Sequence, residues 1–333
     1  MSESVPLDLK TARFESIRIE RTSDLPPIDP QSIDVALLDM NHGYANVGHD
    51  SIVTLVRDAT LALDDVLARD GRRVRVLSYA VRDRLMVPEH RSGRHRLYVG
   101  SGGPGHLDPR RNQTDRGTQE IREDPTWEAA LWRLFDEVAA DERSALYGVC
   151  HTFGLLCRWA RVAEPVLRGA GKGGPRSGVG ANLLTAEALA HPWFARLADG
   201  DGAHVPVLDS RYYDLIPTPE ALPAGMTAIA YEASDAGEPG DALTMFEFAR
   251  ERDAAVPRMF AVNGHPEIGA PERVEMLLER MLARGSITPE VYEERVALLP
   301  VLRSTRPIER LRVARRVFSD LIDRSLELLV RAA

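Results

Sequence analysis

A short apolar run that ends at a cysteine most constrains how this chain can fold. Residues 146–149 are largely apolar, Cys150 follows, and residues 151–162 carry apolar side chains at helical spacing. The pattern predicts a buried strand, a tight turn at Cys150 and then a helix. Such a turn exposes the sulfur, and the positive end of a helix favours a thiolate. Cys150 is therefore predicted to be a nucleophile.

A histidine and a glutamate stand close together far downstream of this turn. His265-Pro266-Glu267 comes just after the apolar segment 258–262, which is predicted to be a strand. Side chains two residues apart on a strand point the same way, so Glu267 is expected to hold and polarise the His265 imidazole. Together with Cys150 they supply a nucleophile, a base and an orienting group.

Strand and helix patterns alternate along the first half of the chain. Strands are predicted at 35–39, 73–79 and 97–99, and helices at 50–63, with a cap near Asp50 or Ser51, and at 127–139. Alternation of this kind indicates an α/β fold, a doubly wound, mostly parallel sheet with helices on both faces. Short strands follow at 204–208 and 227–231.

The two ends of the chain are predicted to lie outside the sheet. Residues 1–32 are polar and contain prolines, which indicates an N-terminal arm lying over the body. Residues 33–285 form the main domain in this interpretation. Residues 286–333 are predicted to be a helical C-terminal extension.

Composition narrows the class of protein. With 333 residues, 44% of them hydrophobic, the chain can bury a full core, and its net charge of −8 argues against a nucleic-acid surface. Its two cysteines, Cys150 and Cys157, lie on one predicted helix, which does not favour a disulfide, and Cys157 is expected in the core. No signal peptide or apolar run of membrane length is visible, so a cytoplasmic protein without a membrane partner is expected.

Three motifs in order resemble the class I glutamine amidotransferase superfamily. They are Gly102-Gly103-Pro104-Gly105 after a strand, Gly148-Val149-Cys150 at the elbow, and His265-Pro266-Glu267. The resemblance spans roughly residues 33–285 and implies a flavodoxin-like fold and a thioester at Cys150. It further implies that His265 shuttles the proton and Glu267 orients it. Backbone N–H groups of Gly102, Gly103 and His151 would form the oxyanion hole.

The elbow departs from that superfamily at two positions. The usual continuation is C-x-G-x-Q, whereas this chain has Thr152 and Gly154 at the glycine and glutamine positions. Thr152 adds only a few atoms and is expected to be tolerated. The missing glutamine matters more, because in the superfamily it helps to shape the glutamine pocket.

A second resemblance is to the homoserine O-succinyl- and O-acetyltransferases, which use the same Cys-His-Glu set. Ser210-Arg211-Tyr212 is similar to that family's S-R-Y segment. Arg211 and Tyr212 are candidates to bind a substrate carboxylate, or they simply pair with a surface acid. The resemblance implies that Arg280 grips the amino-acid carboxylate. It also implies acyl-coenzyme A as a co-substrate. Gly154 departs from this family as well.

Three functions therefore stay open. The first is cleavage of glutamine or a related amide through a Cys150 thioester, with the ammonia passing to a partner synthetase. The second is acyl transfer from a coenzyme A thioester to the hydroxyl of a small amino acid, and the third is a non-catalytic binding relative. No cofactor is predicted, and self-association is left open. Asp39, His42 and His49 could converge on a metal, but loop polarity is the simpler account, so no metal site is predicted.

Overall fold

The fold is described by a computed structural model. It describes residues 11–44, 46–112, 121–169, 176–198, 202–220, 222–234, 237–251, 256–268, 275, 278–279, 282–283, 288–297 and 305–332.

The strands form one mixed sheet. They are β1 (Phe14–Ile19), β2 (Ser32–Asp39), β3 (Arg73–Ala80), β4 (His95–Gly100), β5 (Ala145–Val149), β6 (Ala163–Leu167), β7 (Arg176–Leu184), β8 (His204–Arg211), β9 (Tyr213–Pro217), β10 (Thr227–Ala233), β11 (Pro239–Arg250) and β12 (Pro257–Val262). Their order is β1-β3-β2-β4-β5-β12-β11-β10-β7-β8, and β9 pairs with β11 and β6. The strands predicted near 35, 73, 97, 146, 204, 227 and 258 are all present.

One half of the sheet is parallel and the other half is antiparallel. In the first half, β1-β3-β2-β4-β5-β12, every strand pairs in parallel with its neighbour. Within this parallel half, β3-β2-β4-β5-β12 is the 2-1-3-4-5 order of flavodoxin-like folds. From β12 onward the pairings are antiparallel. The predicted α/β, flavodoxin-like class is confirmed, and the antiparallel half extends the sheet beyond β12.

Helices cover both faces of the sheet. They are α1 (Val47–Ala62), α2 (Asp64–Arg69), α3 (Val81–Arg84), α4 (Trp127–Ala140), α5 (His151–Ala160), α6 (Ala186–Ala190), α7 (Pro289–Val296) and α8 (Thr305–Ala332). Apolar side chains of α1 and α8, such as Ile52 and Phe318, share one core cluster with the sheet. Apolar side chains of α4 and α5, such as Phe135 and Phe153, share a second core cluster with the sheet. This two-sided arrangement is the predicted doubly wound architecture. None of the helices in the described ranges is long and apolar enough to cross a bilayer.

Part of the predicted N-terminal arm is a strand of the sheet. β1 pairs in parallel with β3 and is the edge strand of the sheet, with Phe14 and Ile19 fully buried. Residues 14–19 are therefore part of the sheet and not an arm lying over it. Only the two end residues of β1 enter the apolar core, which is why the segment looks polar in sequence. Residues 1–10 lie outside the described part of the chain.

The C-terminal segment is helical, as predicted, but it does not extend away from the body. α8 packs against α1 and β8, and its residues Val317, Leu321 and Ile322 are buried in the same core cluster as the sheet. A helix that fills the core on one face is part of the main domain, because removing it would expose that apolar surface. The predicted C-terminal helix is confirmed, and the structure adds that it packs on the core of the main domain.

Candidate active site

Cys150 lies on a sharp turn between β5 and α5. It follows Val149, the last residue of β5, and immediately precedes α5. Its backbone has φ 49° and ψ −105°, which is a strained conformation for any residue other than glycine. The Cys150 amide N donates to the carbonyl oxygen of Val262, at the end of β12, over 2.8 Å. Strain of this kind is kept where the surrounding structure fixes it, and it is common at functional sites.

His265 and Glu267 form a buried hydrogen-bonded pair. The His265 Nδ1 and the Glu267 Oε1 lie 2.8 Å apart, and the two residues are only 7% and 1% exposed. The pair does not lie on a strand, as the alternation argument assumed. β12 ends at Val262, and both residues lie in a turn closed by a hydrogen bond from the Ile268 N to the His265 carbonyl. The pairing of the side chains was anticipated, but its geometric reason was wrong.

The His265 ring joins this pair to the cysteine. The His265 ring lies beside Cys150, since a Cβ at Gly102 would contact both residues. Because Nδ1 is held by Glu267, Nε2 is the nitrogen left to face the sulfur. Burial lowers the pKa of His265, but its interactions with Glu267 and Cys150 raise it more, so that the pKa lies well above its usual value. The three residues are thus placed to move one proton between sulfur and imidazole.

Two glycines make room for these side chains. A Cβ at Gly102 would lie 2.9 Å from the His265 Cε1 and 3.2 Å from the Cys150 Cβ. A Cβ at Gly48 would lie 2.7 Å from the Glu267 Oε1. Sequence reasoning singled out Gly102 but missed Gly48, which belongs to a different part of the chain.

Gly48 is in the first turn of α1, whose start differs from the prediction. The helix begins at Val47, and Asn46 caps it by accepting hydrogen bonds from the Gly48 N and the His49 N. The expected cap at Asp50 or Ser51 was wrong because the asparagine lies earlier than the first apolar repeat. The positive end of α1 therefore lies next to the Glu267 carboxylate and stabilises its charge.

Three backbone N–H groups near the Cys150 elbow have no hydrogen-bond acceptor among the described residues. Within the described part of the chain, the N–H groups of Gly102 and Gly103 donate no hydrogen bond. His151 is the first residue of α5, so its N–H has no acceptor inside the helix. A Cβ at Gly103 would lie 2.0 Å from the carbonyl oxygen of Met40, so only glycine fits there. Unpaired N–H groups of this kind are the donors that an oxyanion hole uses.

A buried ion pair holds the glycine-rich loop, and sequence reasoning missed it. Arg82 donates from Nη1 to the carbonyl oxygens of Met40 (2.9 Å) and Pro104 (2.6 Å). Its Nη2 lies 2.6 Å from Glu123 Oε1, and both side chains are fully buried. The Asn112 amide also donates to Glu123. No sequence signal marks this link, because Arg82 and Glu123 stand outside every motif.

The first departure at the elbow is accommodated by two glycines. A Cβ at Gly100 on β4 would lie 2.3 Å from Thr152 Cγ2, and one at Gly148 on β5 would lie 2.7 Å from the same atom. The Thr152 Oγ1 donates to the carbonyl oxygen of Ser101 over 2.8 Å. The threonine therefore fills space that the neighbouring strands leave open and satisfies its hydroxyl.

The second departure leaves no space for a longer side chain. A Cβ at Gly154 would lie 2.3 Å from Leu107 Cδ1. Leu107 is 5% exposed and belongs to the core cluster beneath α4 and α5. A glutamine at position 154 would thus require Leu107 to move.

The segment Ser210-Arg211-Tyr212 borders the site, but Arg211 is already engaged. The carbonyl oxygen of Ser210 lies 3.9 Å from the Cys150 sulfur. Arg211 is 4% exposed, and its guanidinium forms ion pairs with protein carboxylates: Asp209 at 3.2 Å, Asp214 at 3.2 Å and Glu232 at 2.8 Å. These ion pairs satisfy the guanidinium within the protein, and a contact between Arg211 and substrate stays a prediction. Tyr212 is 53% exposed, and Arg280 lies outside the described residues.

The residues considered for a metal do not converge. Asp39 accepts from Arg18 Nη1 at 2.6 Å, and His49 Nε2 lies 2.8 Å from Ser78 Oγ. His42 Nε2 hydrogen-bonds the carbonyl oxygen of Arg122. Among the described residues there is no group of three His, Cys, Asp or Glu side chains able to hold a metal ion.

Comparison with known proteins finds similar structures only. No protein-family model matches the sequence, and no curated protein matches it. The chain is similar to glutamine amidotransferases of solved structure. A glutamine amido transferase from Methylobacillus flagellatus is 14% identical, covering 90% of this chain and 94% of its own, with a TM-score of 0.46. The CTPS glutaminase domain of Trypanosoma brucei, with bound acivicin, is 12% identical, covering 77% and 95%, with a TM-score of 0.43.

Proposed function

We propose that this protein is a thiol enzyme that transfers an acyl group through a thioester at Cys150. The observation that carries the proposal is the strained Cys150 elbow, whose side chain lies beside a His265 ring that Glu267 holds at Nδ1. A nucleophile, a base and an orienting acid in hydrogen-bonding sequence are the parts that covalent acyl transfer needs.

The first substrate class is a carboxamide such as the side chain of glutamine. The sulfur attacks the amide carbon while its proton is held at His265 Nε2. The carbonyl oxygen then takes the negative charge and is held by the N–H groups of Gly102, Gly103 and His151. The C–N bond breaks, His265 returns the proton, and ammonia leaves. Water then attacks the thioester with His265 as base, which frees the carboxylic acid and the thiol.

Ammonia released in this way needs an acceptor. We place this acceptor in a partner synthetase. Small amino acids or amides are the substrates, and neither a nucleic acid nor a membrane enters this proposal.

A second candidate keeps the same nucleophile but takes the acyl group from a coenzyme A thioester. The Gly154 environment favours it. Leu107 packs directly on this glycine, so the site lacks the elbow side chain that shapes a glutamine pocket in the resembled superfamily. Here the leaving group is the coenzyme A thiolate, which takes the proton from His265, and a small hydroxyl compound accepts the acyl group.

Intact-protein mass spectrometry separates the two candidates. The protein is incubated with the glutamine analogue diazo-oxo-norleucine in one arm and with acetyl- or succinyl-coenzyme A in the other. Labelling by the analogue alone supports the amide substrate, and an acyl adduct from the thioester alone supports the second candidate. Absence of any adduct in both arms contradicts a thiol enzyme of either kind and favours a binding role.

The chain offers a matched control for this measurement. It has two cysteines, and Cys157 is fully buried in the core. Cys150→Ala should abolish every adduct, whereas Cys157→Ala should keep it. Adducts that survive Cys150→Ala would show that the thioester forms elsewhere.

A further inference from the structure

The Thr152 hydroxyl holds the peptide group that carries one of the unpaired N–H groups near Cys150. Thr152 Oγ1 donates to the carbonyl oxygen of Ser101 over 2.8 Å, and both residues are fully buried. This carbonyl and the Gly102 N–H belong to one planar, trans peptide group, in which C=O and N–H point in opposite directions. A hydrogen bond that fixes the carbonyl therefore fixes the direction of the Gly102 N–H as well.

The Thr152 side chain is itself held by the two strands that it touches. A Cβ at Gly100 on β4 would lie 2.4 Å from Thr152 Oγ1, and one at Gly148 on β5 would lie 2.7 Å from Thr152 Cγ2. The side chain thus packs against both strands, and the packing of its methyl group sets the position of its hydroxyl. A buried carbonyl that loses its donor is costly, so without this hydroxyl the peptide group would turn toward another partner.

Gly102 lies beside the nucleophile. A Cβ at Gly102 would lie 3.2 Å from the Cys150 Cβ and 3.7 Å from its sulfur. The next peptide group is held in the same way, because Ser101 Oγ accepts from the Met40 N at 2.9 Å and donates to the Gly102 carbonyl oxygen at 2.9 Å. That carbonyl shares its peptide plane with the Gly103 N–H. Each of the two glycine N–H groups thus has a hydroxyl on the carbonyl of its own peptide group.

We propose that Thr152 is a positioning residue of the oxyanion hole, whose hydroxyl holds the Ser101 carbonyl so that the Gly102 N–H points at the substrate oxygen. The inference rests on the proposed function, because it requires a tetrahedral intermediate at Cys150. The resembled superfamily has glycine at this position, and glycine has no side chain to donate. The departure at Thr152 is in this sense a support for the site and not only a tolerated change.

Two reactions of the same sulfur test the inference. With p-nitrophenyl acetate, the bond between sulfur and the acyl carbon forms, negative charge develops on the carbonyl oxygen, and p-nitrophenolate leaves with the bonding electrons. With iodoacetamide, the sulfur displaces iodide from a methylene carbon and no oxyanion forms. Only the first reaction uses the Gly102 N–H. Cys150→Ala supplies the background rate of both.

Two pairs of proteins differ only in the hydroxyl. Thr152→Val replaces Oγ1 by a methyl group and should slow acylation of Cys150 by about 10- to 100-fold, the cost of a displaced oxyanion donor, while alkylation changes less than about twofold. Thr152→Ser keeps the hydroxyl and should acylate within about threefold of the wild type, whereas Thr152→Ala should be as slow as Thr152→Val. Thermal melts show which variants are folded, and if Thr152→Val does not fold, the Ser and Ala variants supply the same comparison.

Thr60→Val is the matched control. Thr60 is also fully buried, and its Oγ1 donates to a backbone carbonyl, that of Val56 in α1, over 2.7 Å. The variant loses a buried hydroxyl of the same kind but away from the glycine loop. It should change neither acylation nor alkylation.

Each outcome decides the matter. Loss of acylation alone in the variants without the hydroxyl, with the rate kept in Thr152→Ser, supports the inference. Equal slowing of both reactions, no slowing in a folded Val or Ala variant, or a Ser variant as slow as Ala overturns it and leaves the thioester mechanism intact. Wild-type protein whose Cys150 is alkylated but never acylated contradicts the proposed function, and the inference with it.

Discussion

The carboxylate of Glu267 lies against Gly48, in the first turn of α1, so closely that a Cβ there would stand 2.7 Å from Oε1. The same Cβ would stand 3.5 Å from His265 Nδ1. Helix α1, from the first half of the chain, thus contacts His265 and Glu267, from its second half. The contact limits how far the Glu267 carboxylate can move from the His265 ring.

Gly48→Ala should impair the reaction of Cys150 without unfolding the protein. The added methyl group must push Glu267 aside, which weakens its hydrogen bond to His265 and misplaces the ring. We expect the Cys150-dependent rate to fall by about 10- to 100-fold, the usual cost of a small displacement of a catalytic group. Steady-state or single-turnover acylation measures the change.

Gly169→Ala is the matched control for that variant. No atom lies within 4 Å of a Cβ built at Gly169. It should leave the rate unchanged. If Gly48→Ala reacts as fast as Gly169→Ala, the contact between α1 and Glu267 has no part in positioning His265.

Replacing Glu267 or Cys150 should lower the pKa of His265. In the folded protein this pKa is raised: burial lowers it, and Glu267 and Cys150 raise it more. A raised pKa contributes stability that is complete below about pH 6.5 and is lost as the pH rises through the folded-state value. Glu267→Gln and Cys150→Ala each remove one of the raising groups, so both should shift the titration of His265 to lower pH. NMR of the His265 ring measures its pKa in each variant. An unchanged titration in both variants would contradict the interaction of His265 with Glu267 and Cys150.

The parts of the site that the sequence predicted are those that local patterns encode. An apolar run, Cys150 and a helical repeat specify the elbow without any distant contact. His265 and Glu267 are two residues apart, so their pairing could be anticipated even though the turn that achieves it could not. The parallel strands and helices around them follow from the same local periodicity.

The missed features depend on contacts between distant segments. Arg82 and Glu123 are 41 residues apart and meet only when the loop after β4 folds back over Met40. Arg211 on β8 looked available for substrate because its partner Glu232 lies 21 residues further along the chain, on β10. The place of α8 in the core is likewise decided by packing and not by helical periodicity.

Thr152 and the glycines opposite it should behave as a coupled set. Gly100→Ala would place a Cβ 2.3 Å from Thr152 Cγ2, and overpacking of this kind costs about 1–3 kcal/mol. Thr152→Gly empties the space and should itself destabilise the protein. Because the second change removes the clash, the double variant should be more stable than the sum of the two single effects predicts. Urea unfolding of all four proteins gives the coupling free energy, and additive effects would contradict direct packing.

His95 should make the folded protein sensitive to mild acid. It is fully buried, its Nδ1 donates to the Asp34 carbonyl over 3.0 Å, and its Nε2 accepts from the Tyr79 hydroxyl over 2.8 Å. Burial lowers the pKa of His95 to about 3; the bond to Asp34 opposes the shift, and nearby positive charges add to it. The unfolded chain binds a proton at about pH 6.5, so the stability that the neutral ring permits is present above that pH and is lost as the pH falls toward 3.

The free energy of unfolding falls by about 1.4 kcal/mol per pH unit below pH 6.5, or by about 2 kcal/mol between pH 7.5 and pH 5. His95→Asn cannot titrate and keeps a donor near Nδ1. It should be less stable than the wild type at pH 7.5, because the Tyr79 hydroxyl loses a buried partner, but it should lose about 2 kcal/mol less on going to pH 5. Urea unfolding at the two pH values measures both differences. The same pH dependence in the variant and the wild type would mean that His95 takes up its proton without unfolding, which the buried Tyr79 and Asp34 contacts do not allow.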